Sequence, residues 1–167
     1  MRQEEDPMKT RSFEPARRLL IAGAMVAALT SVSAASAADP NAAAAGCVRQ
    51  FEDAQRLDME SFRDFDAETF RAGHHPDSVT IFASGAVRYG IDAIMAALAP
   101  HFANRNAIWS WVEKHRIVDG CKSAFILYET WYEIPSIGFK QHALTGVTYT
   151  HEGDHWLSIA DQGTLLQ

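Results

Sequence analysis

The sequence predicts a single α+β domain over residues 47–167, because helical spacing of apolar residues is followed along the chain by strand alternation. Apolar residues recur at helical intervals from Cys47 to Phe65 and from Ile91 to Phe102, which is typical of helices that bury one stripe. Alternation with a period of two follows between Ile108 and Asp161. Helices followed by hairpin-connected strands predict a layer of helices packed on an antiparallel sheet.

Capping and turn residues delimit the smaller elements that precede the sheet. Asp66 can cap a short second helix, Ala67–Ala72, because its carboxylate can accept hydrogen bonds from free backbone N–H groups. Gly73 is expected to end this helix, and Pro76 prevents the helix from resuming. A short strand is expected at Ser78–Ala83, and the third helix follows it.

Four strands are expected in the second half of the chain, at Ile108–Val118, Ser123–Ile134, Phe139–Thr150 and His155–Asp161. Asp119-Gly120 and Glu152-Gly153 are typical of hairpin turns. A two-residue turn at Asp119-Gly120 would pair Trp111 with Tyr128 and His115 with Ala124. A β-bulge would reverse the faces on which these side chains lie.

The N-terminal residues have the order of a secretory signal peptide. Basic residues between Lys9 and Arg18 precede an apolar run, Leu19–Leu29, and small residues with Ala35-Ser36-Ala37 follow. The run is shorter than the roughly 20 residues of a membrane-spanning helix, so a membrane anchor or a buried helix is the less favoured interpretation. We predict that residues 1–37 are a signal peptide and that the mature protein is exported, periplasmic or extracellular, with no stable membrane span.

The mature chain is expected to begin with a flexible tether at residues 38–46, followed by the domain at 47–167. Removing residues 1–37 takes five basic and four acidic side chains from totals of 15 and 21, which leaves a formal charge of about −7. An acidic chain without a basic cluster is unsuited to phosphate binding. Nucleic acid is therefore not expected as a partner.

Two cysteines occur in the sequence, Cys47 and Cys121. An even number in an exported protein favours a disulfide between them, because oxidising compartments preserve such bonds. Two separate buried thiols are the alternative. Lipidation of Cys47 is a weaker interpretation, since this cysteine lies far beyond the apolar run and Asp39 intervenes.

Short motifs in the first half of the domain resemble the NTF2-like family. They are Asp66-Ala67-Glu68, His75-Pro76-Asp77-Ser78-Val79, Gly85 and Gly90-Ile91-Asp92-Ala93-Ile94, in that order. The chain is similar to SnoaL-like and DUF4440-type members from Cys47 to about Gly163. The resemblance implies an NTF2-like cone, in which three N-terminal helices pack on a curved antiparallel sheet and enclose a pocket. The family includes isomerases, cyclases and binding proteins, so the resemblance leaves the function open.

The predicted pairing of the first hairpin places five candidate ligand-binding residues on one sheet face: Trp109, Trp111, Glu113, His115 and Tyr128. Lys114 and Arg116 fall on the other face, where charged side chains can contact water. We therefore expect a pocket rich in tryptophan on the first face, and a small apolar or aromatic molecule as its ligand.

The last hairpin suggests a catalytic pair, His142 and Asp161, if the protein is an enzyme. Pairing through Glu152-Gly153 would place Leu144 opposite Asp161 and His142 diagonally from it, about 7–8 Å away. A histidine oriented by a carboxylate can transfer protons near neutral pH. A solvated or merely hydrogen-bonded role for both residues is the alternative.

Motifs for a dinucleotide, a nucleotide phosphate or zinc do not occur in the sequence, so neither a cofactor nor a metal site is predicted. Adjacent His74 and His75 before a proline define no coordination geometry, and the resemblance implies that His74–Asp77 is a helix-to-strand turn. Three functions remain: a non-catalytic binding domain, which we favour, a cofactor-free isomerase, cyclase or hydratase, and a dimeric interaction module. The resemblance, together with Phe125, Leu127 and Trp131 on the face opposite the predicted pocket, predicts a homodimer through that face.

Overall fold

The structure, a computed structural model, describes residues 40–167, which form three α-helices, one short 3-10 helix and six strands. In chain order these are α1 (Pro40–Arg63), α2 (Ala67–Ala72), β1 (His74–Ile81), β2 (Val87–Tyr89), α3 (Ile91–Asn104), β3 (Ile108–Asp119), β4 (Ser123–Ile134), the 3-10 helix (Pro135–Ile137), β5 (Phe139–Glu152) and β6 (His155–Leu165). The predicted signal peptide and its cleavage site lie outside the described residues. Within residues 40–167, none of the helices combines the length and apolar composition that crossing a membrane requires.

Helix α1 begins earlier than the sequence predicted. It starts at Pro40, so residues 40–46, which we expected to be a flexible tether, are helical. Proline is tolerated in the first turn of a helix, where its missing N–H group would have no partner, and alanine has the highest helix propensity of all residues. The run Ala42–Ala45 therefore extends the helix towards the N-terminus.

Helix α2 forms as predicted, because Asp66 caps it. The Asp66 carboxylate accepts hydrogen bonds from the Thr69 backbone nitrogen over 3.0 Å and from the Thr69 hydroxyl over 2.7 Å. These bonds satisfy one of the free N–H groups at the start of the helix and lower the pKa of Asp66 below its ordinary value. Gly73 ends the helix, and β1 begins directly after it.

The six strands form one sheet in the order β2-β1-β6-β5-β4-β3. Strands β3 to β6 form an antiparallel meander, but β6 pairs in parallel with β1. The sheet is therefore mixed, and the prediction of a purely antiparallel sheet is wrong. Local alternation identifies strands but does not reveal a partner about 80 residues away, and the three-residue strand β2 is too short for alternation to identify.

The helices pack on the sheet through two apolar clusters. Phe51 and Met59 of α1 contact the inner residues of β4, β5 and β6, among them Ile126 and Val147. The second cluster joins α2 to α3 through Phe70 with Ile91 and Ile94, and Phe62 of α1 packs against it. Helix α2 thus contacts both α1 and α3, and each of the three helices contacts at least one strand of the sheet.

Cys47 and Cys121 form a disulfide, which confirms the predicted pairing. Their Cα atoms lie 5.4 Å apart, and the bond joins α1 to the turn between β3 and β4. The Trp156 indole donates a hydrogen bond to the Cys47 carbonyl oxygen over 3.1 Å. The bridge therefore fastens α1 to the sheet at a point 74 residues further along the chain.

Both long hairpins contain an irregularity that the sequence did not reveal. The turn after β3 holds three residues, Gly120–Lys122, and the pairing of β3 with β4 shifts between Glu113 and His115. In the last hairpin, the register shifts where Thr148 pairs with Ala160 and Tyr149 with Ser158. Each bulge adds one unpaired residue, so the side chains on its two sides change faces relative to the partner strand. In the first hairpin the residues between the turn and the bulge lie on the face opposite to the one expected, and in the last hairpin this holds for the β6 residues from Ala160 onwards.

Candidate functional site

A cavity of about 340 Å³ lies where α1, α2 and α3 meet the sheet. It is large enough for a small organic molecule, since ligand pockets start at about 300 Å³. Much of its wall is aromatic, formed by Phe62, Phe70, Phe82, Trp109, Tyr132 and Phe139. Such a wall favours ligands with an apolar or aromatic body, because burying their surface releases water from both partners.

The polar part of the wall is contributed by α1, β1 and β6. Asp58 comes from α1, His74 and Thr80 come from β1, and Asp161 comes from β6. Thr80 and Asp161 are direct neighbours across the parallel pair, and the Thr80 hydroxyl donates a hydrogen bond to Asp161 Oδ2 over 3.0 Å. The parallel pairing, which the sequence did not predict, therefore builds this part of the site.

Asp161 has an elevated pKa because it lies in the cavity wall. Desolvation raises the pKa of its carboxyl to about 6. The Thr80 hydrogen bond and the nearby His74 oppose this shift, whereas the Asp58 carboxylate adds to it. Near neutral pH, this carboxyl can therefore both bind and release a proton.

Contacts with Phe70 of α2 hold the His74 ring in one orientation. Its Nδ1 lies 2.7 Å from the Phe70 carbonyl oxygen, which can only accept, so Nδ1 carries a proton. Its ring packs against Phe70 with a centroid distance of 4.1 Å. The other ring nitrogen, Nε2, lies 3.9 Å from Asp58 Oδ1. This distance is too long for a hydrogen bond, but it permits an ionic interaction when His74 is protonated.

Asp58 is a buried carboxylate with a dedicated donor. The Tyr149 hydroxyl donates to Asp58 Oδ2 over 2.7 Å, and both residues are buried. Burial, together with the neighbouring Asp58, raises the pKa of Tyr149 well above its ordinary value, so the phenol remains a donor. The Tyr149 bond satisfies one carboxylate oxygen, and the other faces His74.

His101 also lines the cavity, and both of its ring nitrogens have a hydrogen-bond partner. Its Nε2 lies 2.8 Å from the Phe62 carbonyl oxygen, and its Nδ1 lies 3.0 Å from the Tyr132 hydroxyl. The carbonyl fixes the proton on Nε2, so the Tyr132 hydroxyl donates to Nδ1. Burial lowers the pKa of His101, in keeping with a neutral ring. His101 therefore positions Tyr132 in the aromatic wall.

The structure places one of the five predicted ligand-binding residues, Trp109, in the cavity wall. Trp111 lies two residues along the same strand but outside the wall, where it packs on the main core and lies 5.7 Å from the Arg63 guanidinium. Tyr128 is buried but is not part of the cavity wall, and its hydroxyl donates to Gln55. The predicted pairing of Trp111 with Tyr128 is wrong, since Trp111 pairs with Thr130.

Glu113 and His115 are exposed, contrary to the prediction. Glu113 accepts two hydrogen bonds from Arg116, over 2.9 and 2.7 Å, and these bonds lower its pKa. His115 pairs with Leu127 rather than with Ala124. The bulge after Glu113 moves His115 to the outer face of the sheet and brings Arg116 to the inner face, so the expected faces are reversed for both.

His142 and Asp161 do not form the predicted pair. Asp161 pairs with Val147 rather than with Leu144, so it lies on the inner face and His142 lies on the outer face. His142 Nε2 is 2.8 Å from Glu129 Oε1, and its ring stacks on Trp131 at 5.0 Å between centroids. Asp161 does lie in the wall of the cavity, but its neighbours there are Thr80, His74 and Asp58 instead of His142.

Sequence reasoning missed Asp58 and His74. Asp58 has a signal in the sequence, since it continues the spacing of Phe51 and Ala54 towards Phe62 and therefore lies on the buried stripe of α1. His74 was interpreted as part of a turn, but it is the first residue of β1 and is buried. Among the side chains of the described residues, no three His, Cys, Asp or Glu are grouped as a metal site would require.

No family model and no curated protein matches the sequence of this chain. Solved structures match it in three dimensions. An NTF2-like protein from Cytophaga hutchinsonii is 15% identical, with a TM-score of 0.56, and the match covers 71% of this chain and 98% of that one. For an NTF2-like protein from Shewanella oneidensis the identity is 12%, the TM-score 0.59 and the coverage 70% and 98%.

A third match is a protein from Streptomyces avermitilis that is provisionally named a dehydratase of the NTF2-like family. It is 14% identical, with a TM-score of 0.60, and the match covers 74% of this chain and 98% of that one. Sequence identities this low support a shared fold and no shared function. This chain has the NTF2-like fold that the order of its motifs and elements predicted.

Proposed function

We propose that this protein binds a small, largely apolar or aromatic molecule in the cavity between its helices and its sheet. The observation that carries the proposal is the cavity itself, about 340 Å³ in volume, with six aromatic side chains in its wall and a polar end at Asp161. Apolar walls supply affinity, and a few fixed polar groups supply orientation and selectivity.

Alanine variants of two tryptophans on β3 test this proposal. Both tryptophans pack against the main core, but Trp109 also lines the cavity, whereas Trp111 does not. With 2-naphthol as the probe, Trp109→Ala should weaken binding by about tenfold or more, because it removes a large apolar contact. Trp111→Ala is the matched control and should change the affinity by less than about twofold. Calorimetric titration would measure both, with circular dichroism to confirm folding.

The reverse result, with affinity lost in Trp111→Ala and kept in Trp109→Ala, would contradict the proposed cavity. Native mass spectrometry of protein isolated from its own cells would identify the natural ligand directly. A bound mass of a small organic molecule is expected, and its loss in Trp109→Ala would connect that molecule to the cavity.

A cofactor-free enzyme is the second candidate, and the polar end of the cavity favours it. Asp161 can take up or release a proton near neutral pH, and His74 presents Nε2 on the same wall. One structural neighbour is provisionally named a dehydratase, a reaction that needs one group to remove a proton and another to protonate the leaving oxygen. Isomerisation, cyclisation and hydration make similar demands.

Asp161→Asn separates a binding protein from an enzyme once the ligand is known. In an enzyme, this variant should abolish turnover and keep the affinity within about tenfold, since the amide retains the shape but not the acid–base function. In a binding protein, it should change only the affinity. A turnover rate that survives Asp161→Asn would contradict the catalytic proposal.

We further propose that the chain is an exported, SnoaL-like protein that forms homodimers. The disulfide supports export, because such bonds persist in oxidising compartments. Phe125, Leu127 and Trp131, half-buried on the outer sheet face, support self-association. N-terminal sequencing of mature protein should begin near Ala38, and sedimentation should show a dimer. An intact Met1 would contradict export with cleavage of the signal peptide. Sedimentation that shows monomer alone would contradict the homodimer.

A further inference from the structure

A second recess of about 300 Å³ adjoins the cavity at the turn between β1 and β2. The two spaces share four wall residues, Phe82, Ala83, Ala97 and Gln141. Two of these residues are alanines, which have small side chains. Arg88 of β2 lies in the wall of the second recess, and among residues 40–167 it is the one lysine or arginine in the walls of these two spaces.

The strand register places Arg88 on the cavity side of the sheet. Arg88 pairs with Thr80 across β1 and β2, and Thr80 pairs with Asp161 across β1 and β6. Directly opposed residues in a sheet have their side chains on the same face. The three residues therefore form a row on one face, with Asp161 and Arg88 at its ends. Two strand spacings separate their backbones by about 10 Å.

The guanidinium of Arg88 has N–H groups that donate to no carboxylate of residues 40–167. Its Nη1 donates to the Val87 carbonyl oxygen over 2.8 Å, and within residues 40–167 no acidic side chain lies within ion-pair distance of it. Arg71, by comparison, is paired with Asp92. A guanidinium with free N–H groups on an acidic protein is a fitting partner for a carboxylate, which it can bind through two parallel hydrogen bonds.

We propose that the ligand carries a carboxylate that pairs with Arg88, while its apolar body fills the cavity and a hydroxyl or carbonyl group reaches Asp161. This inference rests on the proposed binding function and narrows its ligand to an apolar or aromatic carboxylic acid with a second polar group at the far end. The row Asp161–Thr80–Arg88 sets the distance between the two polar groups, and the aromatic wall selects the body between them.

Two naphthalene probes test the inference, because they differ by the carboxylate alone. The first is 6-hydroxy-2-naphthoate, and the second is 2-naphthol. Calorimetric titration at pH 7.5 and low ionic strength would give the dissociation constant of each for the wild type, Arg88→Gln, Arg88→Lys and Lys122→Gln. Lys122 lies in the exposed turn between β3 and β4 and lines neither space, so its variant controls for the change in net charge.

We expect Arg88→Gln to weaken the binding of 6-hydroxy-2-naphthoate by about fivefold or more and to leave 2-naphthol within about twofold. Arg88→Lys should restore part of the loss, since it keeps the charge but not the paired donors. Lys122→Gln should leave both probes unchanged. Added salt should weaken the carboxylate probe alone.

Three results would overturn the inference. If both probes bind and Arg88→Gln affects neither, the carboxylate does not pair with Arg88, and the proposed binding function still holds. If Arg88→Gln weakens both probes equally, Arg88 acts on the shape of the cavity and not on the anion. If neither probe binds the wild type, the inference and the proposed function both fail.

Discussion

The two faces of the sheet each hold a histidine beside a carboxylate, and the two clusters differ in their contact with water. On the outer face, His142 lies 2.8 Å from Glu129, and Glu129 also accepts a hydrogen bond from Lys114 over 3.1 Å. On the cavity face, His74 lies 3.9 Å from Asp58 and near Asp161. The outer pair is the shorter of the two, but it is partly exposed, whereas the side chains of His74 and Asp58 are only 3% and 8% exposed.

Desolvation, not the distance between partners, distinguishes the two clusters. On the outer face, the hydrogen bond from Lys114 and then that from His142 lower the pKa of Glu129, because water and positive charge stabilise the anion. On the cavity face, loss of water raises the pKa of Asp161 to about 6. A carboxylate that is already stabilised is a poor proton carrier near neutral pH, so the cavity cluster is the better candidate for function.

The largest expected effect comes from removing the disulfide, which fastens α1 over the cavity face. The double variant Cys47→Ser/Cys121→Ser should lower the free energy of unfolding by about 4 kcal/mol, because the bridge closes a long loop in the unfolded chain. Urea denaturation would measure this change, with reduced wild-type protein as the control. Because α1 contributes Asp58 to the cavity wall, binding of 2-naphthol should weaken as well. A change below about 1 kcal/mol would contradict the stabilising role of the bridge.

Much of this fold could be predicted from the sequence, because its elements have strong local patterns. Helix α2 follows from its Asp66 cap, and the four long strands follow from alternation. The register could not be predicted, because it depends on single residues. The bulge between Glu113 and His115, and the three-residue turn after Asp119, displace every pair that the two-residue turn implied.

The candidate site was harder to predict than the fold, because it is assembled from distant segments. Asp58 could have been identified, since a carboxylate on the apolar stripe of a helix must be buried with a partner. That partner, Tyr149, lies 91 residues away on β5. His74 and Thr80 enter the site because β1 pairs in parallel with β6, and no local pattern encodes a parallel pair between distant strands.

A medium effect is expected from Asp161→Asn, and its dependence on pH sharpens the contrast between the faces. The raised pKa means that the folded protein binds a proton more tightly than the unfolded chain between about pH 4 and pH 6. Stability contributed by this group is therefore lost as the pH rises through that window. Asp161→Asn removes the loss, so it should raise the free energy of unfolding by about 3 kcal/mol at pH 8 and by little below pH 4.

Glu129→Gln on the outer face is the matched control, and the opposite sign is expected. The lowered pKa of Glu129 means that its ionised form stabilises the folded protein above its ordinary pKa, and that this contribution disappears as the pH falls. Glu129→Gln should therefore destabilise the protein slightly at pH 8 and have no effect in acid. Urea denaturation of both variants from pH 4 to pH 8 would compare them. Parallel curves for the two variants would refute the difference between the faces.

The smallest effect is expected from His142→Ala, although this histidine has the shorter hydrogen bond. His142 is partly exposed, and its bond to Glu129 competes with water, so its loss should change the free energy of unfolding by about 0.5 kcal/mol or less. Binding of 2-naphthol should not change, because His142 lies on the face away from the cavity. His74→Ala is the matched variant on the other face. It enlarges the cavity and removes the imidazole ring near Asp161. It should alter 2-naphthol binding severalfold, with the affinity again measured by calorimetry. Loss of 2-naphthol binding in His142→Ala, with His74→Ala unaffected, would place the functional site on the outer face of the sheet.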